Sequence, residues 1–372
     1  MDNSGTYRET SPILTELPRF EEANEAVAAW RPAPQPWSIP RLNLALFLLT
    51  FLTTTMAGAD TAGAPVTLFA PLQSLINLGS GLSFSIPLMA ILLAHEMGHY
   101  LTARRHGVDA TLPYFVPAPF PSIFFIGTFG AFIRMKSPAR TRGAMFDIGA
   151  AGPWAGFAVA LLAVIVGLRH SAVSPLDNTT GGIELGNSML FWGVSRVVLG
   201  VDPNSVNVDL SPIALAGWFG LLLTSINLLP VGQLDGGHTV YALFGGRGHR
   251  IISRMTWLGT ALMVVVPYAL GYEFWLGWLL WFALVFILGL GHPAAIDGDT
   301  PLNGKRRWMA WATVALFIVT FSPVPITLEP GSPPPPRQQP QDPSSGPGVS
   351  VMNHGPGQGA GRLEGHVYTL RV

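Results

Sequence analysis

Cysteine is absent from the 372-residue chain, which excludes disulfides, thiolate metal sites and cysteine nucleophiles together. Charge is nearly as scarce, at 11% of residues, where a soluble globular domain carries about 25%. The few charges also balance, 21 basic against 21 acidic, so no global field draws in nucleic acid or an acidic partner. No secretory leader is expected, because residues 1–40 are polar and Pro-rich, with Glu9, Glu16, Glu21, Glu22 and Glu25 scattered through them. They read as a polar tail with a short helix near residues 21–30.

Apolar sequence is what remains in abundance, at 49% of residues. Windows able to span about 30 Å of hydrocarbon lie at residues 42–59, 82–103, 144–168, 213–229, 255–270, 274–290 and 308–321. The expectation is an all-α polytopic membrane protein of about seven transmembrane helices. Two further apolar stretches, 68–78 and 189–201, are too short to span and read as interfacial segments. Residues 41–328 form the polytopic domain, with its core at 82–245. Residues 329–372 turn to Ser, Pro, Gln and Gly, including Pro333 to Pro336, and are expected to be disordered.

Loop charges give an orientation. Arg104, Arg105, Arg134, Lys136, Arg140 and Arg142 flank the second and third windows, while Asp60, Asp177, Glu184, Asp202, Asp209 and Glu273 occupy the alternate loops. The positive-inside rule then places the amino terminus in the cytosol and the carboxyl terminus on the outer side.

The second window contains His95-Glu96-Met97-Gly98-His99, an HExxH motif. With 9 His and 10 Glu in the chain, chance would produce it in roughly half a percent of such sequences. On a helix, residues i and i+4 share a face, so His95 and His99 can offer two imidazole nitrogens to one Zn²⁺, with Glu96 beside the open position. Packing alone is the plain alternative, but ionisable groups within a membrane span are functional by default. By its orientation the histidine pair lies about 10 Å below the cytosolic boundary, at about 1.5 Å per residue, where water can reach it from that side.

A catalytic zinc takes three protein ligands and keeps one position for water. The candidate for the third is Asp235, in Asn227-Leu-Leu-Pro-Val-Gly-Gln-Leu-Asp-Gly-Gly-His238, because the fourth window also runs toward the cytosolic face. Taken alone, Asp-Gly more often marks a turn or a cap.

Together these segments resemble the site-2 protease family of intramembrane zinc metalloproteases. The likeness rests on His95 to His99, on Asn227, Pro230 and Leu234-Asp235-Gly236, and on Gly127-Thr-Phe-Gly130-Ala131 followed by a helix from about Gly149-Ala-Ala-Gly-Pro153. It covers residues 82–245 and is closest to compact members, since no loop is long enough for a PDZ domain and no CBS pair follows. The resemblance implies one Zn²⁺ per chain held by His95, His99 and Asp235, with Glu96 moving the proton. It further implies that Asn227 contacts the substrate backbone or the oxyanion. It also implies that Gly127 to Met135, with Gly127 and Gly130 at its start, forms a small re-entrant β segment that pairs with an unwound substrate. His238 is left open between a partner of the metal ligands and an exposed loop residue.

The implied activity is zinc-dependent endoproteolysis of membrane-anchored proteins within or near a transmembrane segment, as in regulated intramembrane proteolysis. Its expected partners are those segments and the lipid bilayer, with no nucleic acid. A membrane metal transporter and an inactive client-binding protein are the alternatives. Transport normally needs polar groups through the whole bilayer, which the outer halves of these windows lack, and an intact Glu96 speaks against inactivity.

Overall fold

The computed structural model describes residues 40–64, 66, 71–118, 126–175, 182–272, 274–293, 295–298, 300–329 and 368–370. The expected amino-terminal helix at 21–30 lies outside the described residues, as does the carboxy-terminal tail apart from residues 329 and 368–370.

Each of the seven apolar windows coincides with a helix. In chain order the helices are α1 (Arg41–Thr61), α2 (Pro71–Arg105), α3 (Arg142–Leu168), the short α4 (Met189–Leu199), α5 (Pro212–Asn227), α6 (Asp235–Leu270), α7 (Gly277–Leu288) and α8 (Gly304–Thr320). Only four of the described helices, α1, α2, α3 and α6, are long and apolar enough to cross a membrane. The count of seven is not confirmed: α5 has 16 residues, α7 has 12 and α8 has 17. At about 1.5 Å per residue, none of these three covers the whole hydrocarbon thickness alone.

The stretch 68–78 is not a separate interfacial segment either. From Pro71 it is the first part of α2, which runs unbroken for 35 residues past Pro87. The other short stretch is indeed a separate helix, α4, closed at its end by Gly200 in the left-handed conformation at φ 70°.

The expectation of an all-α chain with one small β segment also needs correction. Alongside the hairpin of β1 (Tyr114–Pro117) and β2 (Thr128–Phe132) there is a second sheet, made of β3 (Ala172–Pro175), β4 (Gly182–Leu185), β5 (Val206–Asp209), β6 (Ile326–Glu329) and β7 (Tyr368–Leu370). Its strand order is β3-β5-β7-β4-β6. The strands have three or four residues each. That is too short for an alternation of apolar and polar residues to stand out between long apolar windows.

The bundle is centred on α3, which packs against α2 on one side and α5 on another. Phe84, Leu88 and Ile91 of α2, Ala160, Val164 and Leu168 of α3, and Leu215 and Phe219 of α5 share one buried cluster. Small residues bring the backbones together, as is usual where helices meet in a membrane. A Cβ at Gly217 would come within 2.7 Å of the Val164 nitrogen, and one at Gly58 within 2.7 Å of the Gly81 oxygen. Ser211 ties the two helices at their ends, accepting from Ala214 N at 3.2 Å and donating to Gly167 O at 2.7 Å.

The arginine-rich ends of the helices gather at one end of the bundle. Asp147 of α3 receives Arg306 of α8 in a forked pair, and His106 lies 2.9 Å from the same carboxylate. Arg142 reaches across to α6, where its Nη2 donates to Ala242 O at 2.6 Å and Tyr241 O at 3.3 Å. Those carbonyls end the first part of α6, which is interrupted at Gly245 (φ 70°, ψ −176°).

Overpacking a tight helix crossing destabilises by about 1–3 kcal/mol. Gly217→Leu is therefore expected to lower the melting temperature of the detergent-solubilised protein by several degrees. An unchanged melting curve would show that the α3–α5 crossing can open without loss.

Candidate metal centre

The HExxH motif lies well inside α2, on the side that meets α3. His95 and His99 are one turn apart, with their Nε2 atoms 3.1 Å from each other. Each lies 3.3 Å from Oδ2 of Asp235. Asp235 is the first residue of α6 and arrives there through the turn that follows α5. Glycines make this turn possible: a Cβ at Gly236 would strike the Leu228 carbonyl, and one at Gly237 the Gly232 carbonyl.

The donor set fits a zinc ion. Ligand bonds of about 2.0–2.1 Å in a tetrahedron put neighbouring donors about 3.3 Å apart, and the three atoms here are 3.1 to 3.3 Å apart. The tautomer fits as well. His99 Nδ1 is 2.7 Å from the Ile148 carbonyl, which can only accept, so in a neutral ring Nδ1 carries the proton and Nε2 turns a lone pair toward the other donors. The Asp235 carboxylate and the two imidazole nitrogens converge on one point, an arrangement that a cation satisfies. Among the described residues this is the one group of three such side chains close enough to hold a metal.

Helix α3 supplies the space. Gly149, Gly152 and Gly156 fall on one face, and a Cβ at Gly152 would run into the His99 ring. One at Gly156 would lie 3.1 Å from His95 Cβ, and one at Gly149 2.7 Å from His238 Cβ. Gly98 does the same from α2, where a Cβ would meet Ala151 of α3.

The three donors open on a cavity of about 610 Å³ that is also lined by Glu96, Asn227 and His238. Glu96 is buried, and Asn227 Nδ2 stands 3.4 Å from His95 Nε2. Another wall is the segment 131–138, the end of β2 and the chain that follows it. In this segment Arg134 O accepts from Thr111 N, and Lys136 N donates to Asp109 O at 2.7 Å. Met135, between them, therefore turns its own N–H and C=O away from that strand. Strand β2 has β1 as its one neighbour in this sheet.

The structure thus brings His95, Glu96, His99, Asn227, Asp235 and His238 into one cavity. Gly127 and Gly130 do not line it. Gly127 lies against α1, where its carbonyl accepts from Thr53 Oγ1 at 2.7 Å and a Cβ would strike the Thr53 carbonyl. Gly130 gives its N–H to Thr128 Oγ1 at 2.9 Å. Both have positive φ, 73° and 102°, so they shape the hairpin, and the residues after it face the cavity.

Residues 83–266 match the model of peptidase family M50. The chain is a member of peptidase family M50. Curated relatives align with much of the chain. "Probable zinc metalloprotease EGY2, chloroplastic" of Oryza sativa subsp. indica is 30% identical over 265 residues, 71% of this chain and 46% of the relative. "Probable zinc metalloprotease EGY1, chloroplastic" of Arabidopsis thaliana is 31% identical over 252 residues, 66% of this chain and 43% of the relative. "Probable zinc metallopeptidase EGY3, chloroplastic" of the same plant is 31% identical over 262 residues, 66% of this chain and 42% of the relative. The chain thus aligns with less than half the length of these relatives. No solved structure matches it significantly.

Three contributors to the M50 site escape a reading for ligand types. The Ile148 carbonyl has no side-chain signature. The glycines at 149, 152 and 156 do leave a signal, a small-residue face at helical spacing. His292 stands in the loop after α7, with its Nε2 2.7 Å from His238 Nδ1. Burial, with His238 and His249 beside it, pushes its pKa down to about 3, so its ring is neutral at physiological pH.

A methyl group at position 152 has to displace the His99 ring, which the Ile148 carbonyl holds from its other side. Gly152→Ala is expected to leave the protein folded and cut its zinc content to a minor fraction, as measured by elemental analysis. Wild-type zinc in that variant would mean that the ring can move without releasing the ion.

Proposed function

We propose that this chain is a zinc-dependent endopeptidase that cuts membrane-anchored proteins within or near a transmembrane segment. The observation that carries the reading is Glu96, a buried carboxylate in the same cavity as a His95–His99–Asp235 donor set matched to zinc. In the proposed site those three residues hold one ion. When bound there, zinc supplies Lewis acidity, lowering the pKa of a water to about 7 and polarising a peptide carbonyl.

The protein's own groups would do the rest. Glu96 takes the proton of the attacking water and passes it to the leaving amine. Asn227 has two amide protons, and its place beside His95 suits contact with the developing oxyanion. His95, Glu96 and His99 are themselves buried, so they act in a medium of lower dielectric than bulk water.

A transmembrane helix hides its carbonyls in its own hydrogen bonds and must unwind before attack. The unwound backbone then needs partners, because an unpaired amide in an apolar medium costs several kcal/mol, about 4–8 on a water-to-cyclohexane scale. The N–H and C=O that Met135 turns away from its strand neighbour are suited to this role, by addition of the substrate as an extended strand. Recognition through backbone groups predicts broad sequence tolerance, with a preference for segments that contain helix breakers. The arginine-rich end of the bundle would face the cytosol by the positive-inside rule, with the cavity mouth on that side.

Glu96→Gln removes the proton acceptor and no ligand. It is expected to keep wild-type zinc and to lose at least a hundredfold in cleavage of a model transmembrane substrate in proteoliposomes, in line with the usual weight of a general base of about 10²–10⁴. Equal cleavage rates would falsify the assignment. Comparing membrane proteomes of cells with the native protein and with Glu96→Gln then finds the substrate as the fragment made by the former alone. Met135→Pro removes one outward-facing donor and leaves the hairpin ladder intact, so cleavage should fall at least tenfold while zinc stays normal. A native rate in a correctly inserted Met135→Pro protein would remove the strand-pairing step.

A further inference from the structure

His238 follows Asp235 by three residues on α6, which puts both on one face of the helix. It lines the same cavity, but the three-donor cluster does not include it. With both rings neutral, its hydrogen bonding has a single solution when followed from the outer end. The Pro293 carbonyl can only accept, and His292 Nδ1 is 2.7 Å from it, so that nitrogen carries the His292 proton. The neutral His292 ring then has a lone pair at Nε2. His238 Nδ1, 2.7 Å away, must donate to it. The remaining nitrogen of His238, Nε2, therefore presents a lone pair, and it has no hydrogen-bond partner among the described residues.

The arrangement is built rather than loose. Tyr241 stacks on the His292 ring with centroids 4.4 Å apart and planes 12° apart, and its hydroxyl accepts from Ala295 N at 3.4 Å. Gly149 gives His238 its place against α3. Both rings are thus fixed in orientation as well as in tautomer.

An extended peptide in this cavity brings two kinds of polar group, carbonyls that need donors and N–H groups that need acceptors. A neutral imidazole held as an acceptor answers the second kind. We propose that His238 Nε2 accepts a hydrogen bond from a backbone N–H of the bound substrate, close to the bond to be cut. His292 is the positioning residue that keeps His238 in the accepting tautomer. This rests on the peptidase reading above and adds to it a second backbone grip, on the helix that also carries Asp235.

The test measures binding, so that it does not depend on turnover. Full-length, zinc-loaded Glu96→Gln protein in nanodiscs is titrated with a fluorescent peptide carrying one transmembrane segment with a central helix breaker. A series of the same peptide with one backbone nitrogen methylated at a time is titrated alongside. Adding His238→Ala is expected to weaken binding of the parent peptide about tenfold at unchanged zinc content. At one position, N-methylation should weaken binding to the Glu96→Gln protein and add no further loss when His238 is already alanine. His292→Gln, whose amide oxygen can still accept from His238 Nδ1, should bind nearly as Glu96→Gln alone does, while His292→Leu should bind several-fold less tightly. Nitrogen-15 histidine spectra should show His238 protonated on Nδ1, with that signature lost in His292→Leu and kept in His292→Gln.

Equal affinities with and without His238, or methylation losses that add independently at every position, would overturn the proposal. Loss of zinc in the His238→Ala protein would overturn it too, by placing this residue among the metal ligands. Failure of the peptidase reading is seen separately, as a zinc-loaded protein with Glu96 intact that binds the peptide and never cuts it.

Discussion

The close approach of α3 to α2 is the constraint on which the site depends. Two imidazoles a turn apart on a helix would ordinarily spread to opposite sides of their neighbour's side chains. Here Gly152 and Gly156 leave no side chain to separate them, and the Ile148 carbonyl anchors the His99 ring from behind. The rings are consequently drawn to within one donor spacing of each other before Asp235 joins them. Backbone contact between helices does here what a layer of bulky apolar residues does in a soluble core. It fixes geometry by shape, at a place where the lipid supplies no hydrophobic force between helices.

Much of this site can be read from residue types alone, because metal chemistry restricts the choice so strongly. His95, Glu96 and His99 stand at a helical spacing with a chemical reason. Asp235 could be picked from a single loop, since the loop charges direct the fourth apolar window, which it follows, toward the same face as the histidine helix. Harder to read is what works through absence or through the main chain. The glycines at 149, 152 and 156 matter for the side chains they lack, and the Ile148 carbonyl looks like that of any other residue. Gly127 and Gly130 show the opposite case, since they lie outside the cavity and serve the bend of a hairpin.

The fold divides in the same way. Long apolar windows reveal helices well, because one signal extends over many residues. They do not reveal depth: the 16 residues of α5 are apolar because protein surrounds them. The three- and four-residue strands of the second sheet carry too little pattern to register, and β7 returns from far along the chain to lie between β4 and β5. Pairing over such a separation is set by tertiary contacts and leaves no local trace.

The break in α6 has a mechanical meaning. Asp235 does not sit at the head of a stiff 36-residue rod, since Gly245 cuts off a short leading piece whose trailing carbonyls are clasped by Arg142. Arg142 belongs to α3, the helix that also steadies His99 through Ile148. Donors from two different helices are in this way gauged against one common reference. The long second part of α6 is largely exposed on the surface of the bundle. The joint separates the course of that exposed part from the frame that holds the donors.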